Sequence, residues 1–248
     1  MATVFFHIPK TAGTTLMELL LKNYPLQEVY HMQKREENNL ENLLKQSQQK
    51  ACVFGHFRFK EELKTKKNFL FTFLRSPTDR CISNFFHLRR EGYHSDKPVL
   101  EGMKIYLKEN ELRKTGNWNL QTQFLAHTPG KKFFRHEEEY HVKHAIEHLH
   151  MMNFVGITEH FRNSVYMLGQ SLNWRKWYFV EHNVNRAADQ KKQILNEFRK
   201  ELQEANSLDQ YVYEEGLKLF KAQQESIDIP FYKAAEARAL SMTKRLLR

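Results

Sequence analysis

The chemistry that can be read most directly lies in one continuous stretch, His7-Ile8-Pro9-Lys10-Thr11-Ala12-Gly13-Thr14-Thr15. It sits between a short β-rich run and a helical pattern, the junction at which backbone N–H groups and the positive end of a helix dipole cradle a phosphate. Gly13 permits close approach of the backbone, Lys10 supplies a point charge, and the threonine hydroxyls add donors. The stretch is not a Walker A sequence, because GxxxxGK[ST] is absent and Lys10 precedes the glycine. A plain proline-initiated turn with an exposed lysine is the alternative, and the position directly after the first strand argues against it. Two histidine patterns invite a metal reading and do not sustain it. His136-Glu137-Glu138-Glu139-Tyr140-His141 is HExxxH, so its histidines miss the four-residue spacing that a zinc helix needs. His144 and His148 have that spacing, but Val142, Ile146 and Leu149 give their helix an ordinary apolar stripe with the histidines beside it. The expectation there is a solvated face or a contact with an acidic ligand.

PKTAGTT directly after an N-terminal strand resembles the 5′-phosphosulfate loop of sulfotransferases, in the branch that includes the glycan 2-O- and 6-O-sulfotransferases and their small bacterial relatives. A second run, Phe73-Leu74-Arg75-Ser76-Pro77-Thr78-Asp79-Arg80-Cys81-Ile82-Ser83, has the form strand then LRxPxxRxxS and is similar to the family's 3′-phosphate motif. The resemblance implies that Arg75 and Ser83 hold the 3′-phosphate of 3′-phosphoadenosine 5′-phosphosulfate (PAPS). It also implies that the amides and hydroxyls of Thr11, Ala12, Gly13, Thr14 and Thr15 hold the 5′-phosphate, with 3′-phosphoadenosine 5′-phosphate (PAP) as product. A guanidinium matches phosphate oxygens bidentately and a helix-borne hydroxyl adds an oriented donor. Further segments look like signatures of small sulfotransferases: Gly55-His56-Phe57-Arg58-Phe59, Asn119-Leu120-Gln121-Thr122-Gln123, Phe154-Val155-Gly156-Ile157-Thr158-Glu159, Asn183-Val184-Asn185-Arg186 and Asn206-Ser207-Leu208-Asp209-Gln210-Tyr211.

Sulfuryl transfer to an alcohol demands a base, charge stabilisation of the leaving phosphate, and in-line placement of the reacting oxygens. His56 follows Gly55 at the end of a predicted strand, and an imidazole of ordinary pKa suits a general base near neutral pH. A histidine at the matching place is read as the base in the glycan 2-O- and 6-O-enzymes, so the resemblance implies that role for His56. Lys10 would stabilise the charge that grows on the bridging oxygen. No metal is expected, because lysine and helix dipole neutralise the leaving phosphate, whereas kinases rely on magnesium.

These residues need elements to carry them. Residues 3–8 (TVFFHI) read as a strand stopped by Pro9, which cannot donate into a sheet ladder. Leu16, Leu19 and Leu20 then share one face of a helix whose start suits Thr14 or Thr15. Residues 51–54, 69–74 and 154–157 are short apolar runs of strand length. Helical patterns cover residues 38–49, 77–90, 137–150, 160–172, 190–205 and 207–220, with a basic terminal helix over 231–247. Strands apolar on both faces that alternate with helices imply an α/β three-layer, P-loop-like fold, with a central parallel sheet flanked by helices and a helix-rich second half. With no repeat, linker or low-complexity tract, residues 1–248 read as a single domain.

Composition sets the frame. The 248 residues carry 39 Lys+Arg against 29 Asp+Glu, a net charge of +10 that excludes an acidic solvating protein. Hydrophobic residues at 41% exclude a disordered chain. Two cysteines, Cys52 and Cys81, make no disulfide framework, so a reducing compartment is the default. No apolar run reaches the roughly 18 residues of a membrane span, and there is no signal-peptide pattern. The expectation is a cytoplasmic protein of bacterial type, preferred over a trimmed Golgi catalytic domain because the first strand begins at the third residue. The positive surplus includes Lys60, Lys64, Lys66, Lys67, Arg89, Arg90, Lys131, Lys132 and Arg135, and suits a polyanionic acceptor such as an acidic oligo- or polysaccharide. Two rival readings are a P-loop kinase-like phosphotransferase, disfavoured by the missing Walker A arrangement, and a basic nucleic-acid-binding protein, for which only the charge speaks.

Overall fold

A computed structural model describes residues 2–32, 39–108, 112, 117–126, 138–179 and 188–226. Five parallel strands make its centre in the order β2-β3-β1-β4-β5. They are β1 (Ala2–Phe6), β2 (Val29–Met32), β3 (Cys52–Gly55), β4 (Asn68–Leu74) and β5 (Phe154–Ile157). β1 pairs Val4 with Val53 of β3 on one side and with Leu70 of β4 on the other, and every residue of β1 is buried. Helices cover the sheet, as the strand runs apolar on both faces require. α1 (Gly13–Asn23) returns the chain from β1, burying Leu16, Leu19 and Leu20. α2 (Leu40–Gln49), α3 (Pro77–Arg90), α4 (Val99–Tyr106), α5 (Leu120–Leu125), α6 (Glu138–Met151), α7 (Phe161–Ser171), α8 (Ala188–Ala205) and α9 (Ser207–Ser226) follow. The expected α/β three-layer fold with a helix-rich second half is the fold observed.

Several boundaries move for local reasons. β1 ends at Phe6, two residues before Ile8, although the His7 amide still donates to the Gly55 carbonyl (3.1 Å). α2 starts at Leu40 because Asn39 caps it, its side chain accepting from the Asn42 amide at 2.9 Å. α9 runs on to Ser226, past the expected end at Phe220. β2, α4 and α5 are elements that the apolar patterns do not reveal. The basic helix expected over 231–247 and the segment 183–186 lie outside the described residues.

The topology itself points to a site. From β1 the chain runs out to the edge strand β2, returns through β3 beside β1, then crosses to β4 on the other side. The loops leaving the carboxyl ends of β1 and β4 therefore diverge, and a crevice opens between them, where open α/β sheets bind ligands. The loop after β1 holds Lys10, and the first residue after β4 is Arg75.

Candidate active site

The loop after β1 is shaped by its own residues. Lys10 (φ 72°) and Ala12 (φ 65°) are both left-handed, a conformation that non-glycine residues adopt at some cost and that clusters at functional sites. The Thr11 hydroxyl donates to the Ile8 carbonyl (2.8 Å) and closes the turn. Thr11 thus shapes the loop with its one hydroxyl proton, and its main chain remains to face a ligand. α1 then begins at Gly13 with no side-chain cap and no acidic residue in its first turn. Its leading amides and dipole are left for an anion. Gly13 admits no substituent, since a Cβ there would lie 1.7 Å from Nε2 of His7. Thr14 is exposed and Thr15 buried in the same turn.

Lys10 and Arg75 meet across the crevice, with Arg75 Nη1 donating to the Lys10 carbonyl at 3.2 Å. The Lys10 ammonium is half-buried, and among the described residues it has neither a hydrogen bond nor an ion pair. Burial pushes it below the usual lysine range, and the charges of Arg90 and Arg75 push it the same way. Arg75 Nε is buried and has no acceptor. A half-buried ammonium without a counter-ion beside a guanidinium with an orphaned donor is an arrangement that an anionic ligand completes. Ser83, two turns into α3, is half-buried and hydrogen-bonded to neither Lys10 nor Arg75.

His56 enters from β3. Gly55 before it has φ +157°, and a Cβ there would come within 2.8 Å of the Met32 carbonyl, so only glycine fits. His56 Nδ1 lies 2.8 Å from the His7 carbonyl. A carbonyl only accepts, so Nδ1 carries the proton and Nε2 holds the basic lone pair. The His56 ring packs on that of His7 with centroids 4.2 Å apart. Burial pushes the His7 imidazole well below the usual histidine range, helped by His56, His31 and Lys10. His7 is therefore a neutral wedge between Gly13 and His56, and its carbonyl fixes the tautomer of the latter. Of the residues read from the sequence, the fold links Lys10 to Arg75, and His56 to the start of the same loop.

A sulfotransferase family model matches residues 2–214. The chain belongs to the sulfotransferase family. A comparison with curated proteins finds no match. Family membership makes this chain an enzyme of sulfuryl transfer, and the phosphotransferase and nucleic-acid readings fall away. Among the described residues of the sulfotransferase, no group of three or more His, Cys, Asp or Glu could hold a metal, and no helix is long and apolar enough to cross a membrane.

The signature segments acquire a physical role once the exit of β4 is followed residue by residue. Thr158 Oγ1 donates to the Leu74 carbonyl (2.9 Å), and Glu159 Oε1 accepts from the Ser76 amide (2.9 Å). Between them the Gln121 side chain accepts from the Arg75 amide (3.0 Å) and donates to the Arg75 carbonyl (2.9 Å). Three consecutive residues are thereby held by side chains from the β5–α7 junction and from α5. Behind Gln121 lies a buried network of Asn119, Thr122, Asp209 and Arg80 to which residue spacing assigns no role. The one available signal is polar sequence in positions that turn out to be buried: all of NLQTQ, and Asn206 and Asp209 within NSLDQ.

One expectation is corrected outside the site. His148 is on no solvated face: it is 3% exposed, with Nδ1 at 2.6 Å from the Leu125 carbonyl and Nε2 at 2.9 Å from Glu61. The contact to Leu125 fastens α6 to the end of α5. Arg89 is likewise occupied, donating to the carbonyls of His94, Ser95 and Lys97.

Proposed function

We propose that this sulfotransferase uses PAPS as donor and sulfates a hydroxyl of an anionic oligo- or polysaccharide, with His56 as general base. The observation that carries the reading is the Lys10 ammonium, half-buried with no hydrogen bond or ion pair among the described residues and linked through its own carbonyl to Arg75 at the sheet's switch point. The uncapped first turn of α1, with Thr11, Ala12, Gly13, Thr14 and Thr15, suits the 5′-phosphate. Arg75, with its orphaned Nε, and Ser83 suit the 3′-phosphate. The donor supplies the sulfuryl group: the bond from sulfur to the phosphate oxygen breaks as the acceptor oxygen bonds to sulfur, and PAP leaves. Nε2 of His56 takes the hydroxyl proton, its tautomer set by the Nδ1 contact to the His7 carbonyl. Lys10 holds the charge that develops on the leaving oxygen.

The net charge of +10 favours a polyanionic acceptor, and Arg90 beside Lys10 contributes to the local field. Lys131, Lys132 and Arg135 lie outside the described residues. Cys52 and Cys81 are free, buried thiols, which supports a reducing compartment such as the cytoplasm. The family match across most of the chain supports one catalytic domain. The test is transfer of labelled sulfate from PAPS to a panel of acidic oligosaccharides, neutral oligosaccharides, small phenols and lipids. Sulfation of the acidic glycans, lost in His56→Ala with PAP binding kept, is the expected result. Turnover in His56→Ala removes that residue as base. Stabilisation by ATP with magnesium but not by PAP overturns the donor.

A further inference from the structure

We propose that Gln121 is a positioning residue for Arg75, and that the buried Arg80–Asp209 pair acts on the donor site through it. The proposal rests on the reading of Arg75 as the 3′-phosphate ligand, and concerns what holds that guanidinium in place.

Arg75 is the first residue beyond β4, where the ladder no longer supplies partners. One primary amide replaces them. Gln121 Oε1 accepts from the Arg75 N–H at 3.0 Å and Nε2 donates to the Arg75 C=O at 2.9 Å, so the side chain acts as a one-residue stretch of neighbouring strand. Only glutamine offers this pairing at this reach: glutamate brings two acceptors, methionine neither group, and asparagine is one methylene short. Gln121 is fully buried, which keeps water from substituting.

The main chain of Gln121 is fixed in turn by a reciprocal cap between two helices. Asp209, at the start of α9, accepts from the Gln121 amide (3.2 Å) through Oδ2, and from the Thr122 amide and hydroxyl (2.8 Å each) through Oδ1. Asn119, before α5, accepts from the amides of Leu208 and Asp209 (2.9 and 3.2 Å) at the start of α9. Each helix start is thus capped by a side chain belonging to the other. Arg80 Nε faces Asp209 Oδ2 at 3.8 Å, both side chains at zero exposure, and Arg80 Nη2 donates to the Asn117 carbonyl at 3.1 Å. Arg80 also stands on the helix that Arg75 leads into, so the network closes on the arm it positions.

The experiment is calorimetric titration of the full chain with PAP and with adenosine 5′-phosphate, which lacks the 3′-phosphate. The variants are Gln121→Met, which keeps the volume, Gln121→Glu, which keeps the acceptor for the Arg75 amide, Arg75→Ala, and Gln121→Met with Arg75→Ala. Gln121→Met should weaken PAP about tenfold and adenosine 5′-phosphate less than about twofold, the scale of one misplaced charge-assisted hydrogen bond. Gln121→Glu should fall between it and wild type. Added to Arg75→Ala, Gln121→Met should cause no further loss for PAP, and in turnover it should raise KM for PAPS while leaving kcat nearly unchanged. Equal weakening of both nucleotides, or unchanged PAP binding, overturns the proposal. A wild-type protein that does not distinguish the two nucleotides instead overturns the reading of Arg75. Should Gln121→Met fail to fold, Gln121→Glu carries the same comparison.

Discussion

Replacing Asp209 with alanine isolates several donors at once in a place that water does not reach. The carboxylate accepts from the amides of Gln121 and Thr122 and from the Thr122 hydroxyl, and it is the only anion within ion-pair distance of Arg80 among the described residues. Removing one member of a buried ion pair costs about 3–5 kcal/mol, and each orphaned buried amide about 1–3 kcal/mol. These contributions overlap, so the expected loss for Asp209→Ala is about 4–6 kcal/mol, against a total stability of about 5–15 kcal/mol for a domain. A graded series separates the parts. Thr122→Val deletes one donor and leaves the Thr122 amide paired, for an expected loss of about 1 kcal/mol. Arg80→Met with Asp209→Leu removes both charges, and should be more stable than the sum of the two single losses predicts. Urea unfolding followed by circular dichroism and by tryptophan fluorescence, with coincident transitions and an unchanged m-value, measures the series. Asp209→Ala within about 1 kcal/mol of wild type, or strict additivity in the double variant, would refute the claim that this network is coupled and shielded from water.

Three further outcomes follow from the site. His7 has its folded pKa below the unfolded value of about 6.5, so its contribution is present above that pH and lost as the pH falls below it; stability should decline on acidification from pH 7 to 5, and His7→Gln should flatten that slope in pH-dependent urea titrations. Gly13→Ala should abolish PAP binding, because its methyl would occupy the His7 ring, and in a His7→Ala background the same change should be far better tolerated by thermal melting. Burial pushes the Cys52 thiol up to about 12 and raises that of Cys81, so neither should react with iodoacetamide at pH 8 until the chain is unfolded, as mass spectrometry would read.

The parts of the site legible in the sequence are those whose chemistry is contiguous. Pro9, Lys10 and Gly13 lie within one turn, and the strand before them and the helix after them are periodic enough to read. β5 and α3 fall where their apolar spacing puts them, with Pro77 at the first turn of α3. β2 escaped because an edge strand of four residues, VYHM, has only Met32 fully buried. α5 escaped for the opposite reason: Gln121, Thr122 and Gln123 are polar and buried, so hydropathy reads a burial site as surface. The clamps on β4 were illegible because their partners are 46, 83 and 84 residues apart, for Arg75–Gln121, Ser76–Glu159 and Leu74–Thr158. No local period links positions so far apart, and only the fold brings them together.

The two arms of the site are built on different principles. The Lys10 loop closes on itself, through Pro9, two left-handed residues and the Thr11-to-Ile8 hydrogen bond. The Arg75 arm has no such local device and borrows its geometry from α5, α9 and the end of β5. Substitutions of the loop side chains, Gly13 against His7 apart, should therefore damage the site with little loss of stability, whereas substitutions in the network should damage both. The two arms also bring cations together: Arg90 and Arg75 depress the ammonium of Lys10, and Glu91 opposes them in part. Like charges held close by a rigid scaffold destabilise the unliganded state. An anion that spans both arms removes that repulsion and pairs the orphaned Nε of Arg75, so it binds the folded chain alone and raises its melting temperature with concentration. On the proposed reading, in which PAP alone of the three carries a phosphate for each arm, the rise should be larger for PAP than for either adenosine 5′-phosphate or inorganic phosphate.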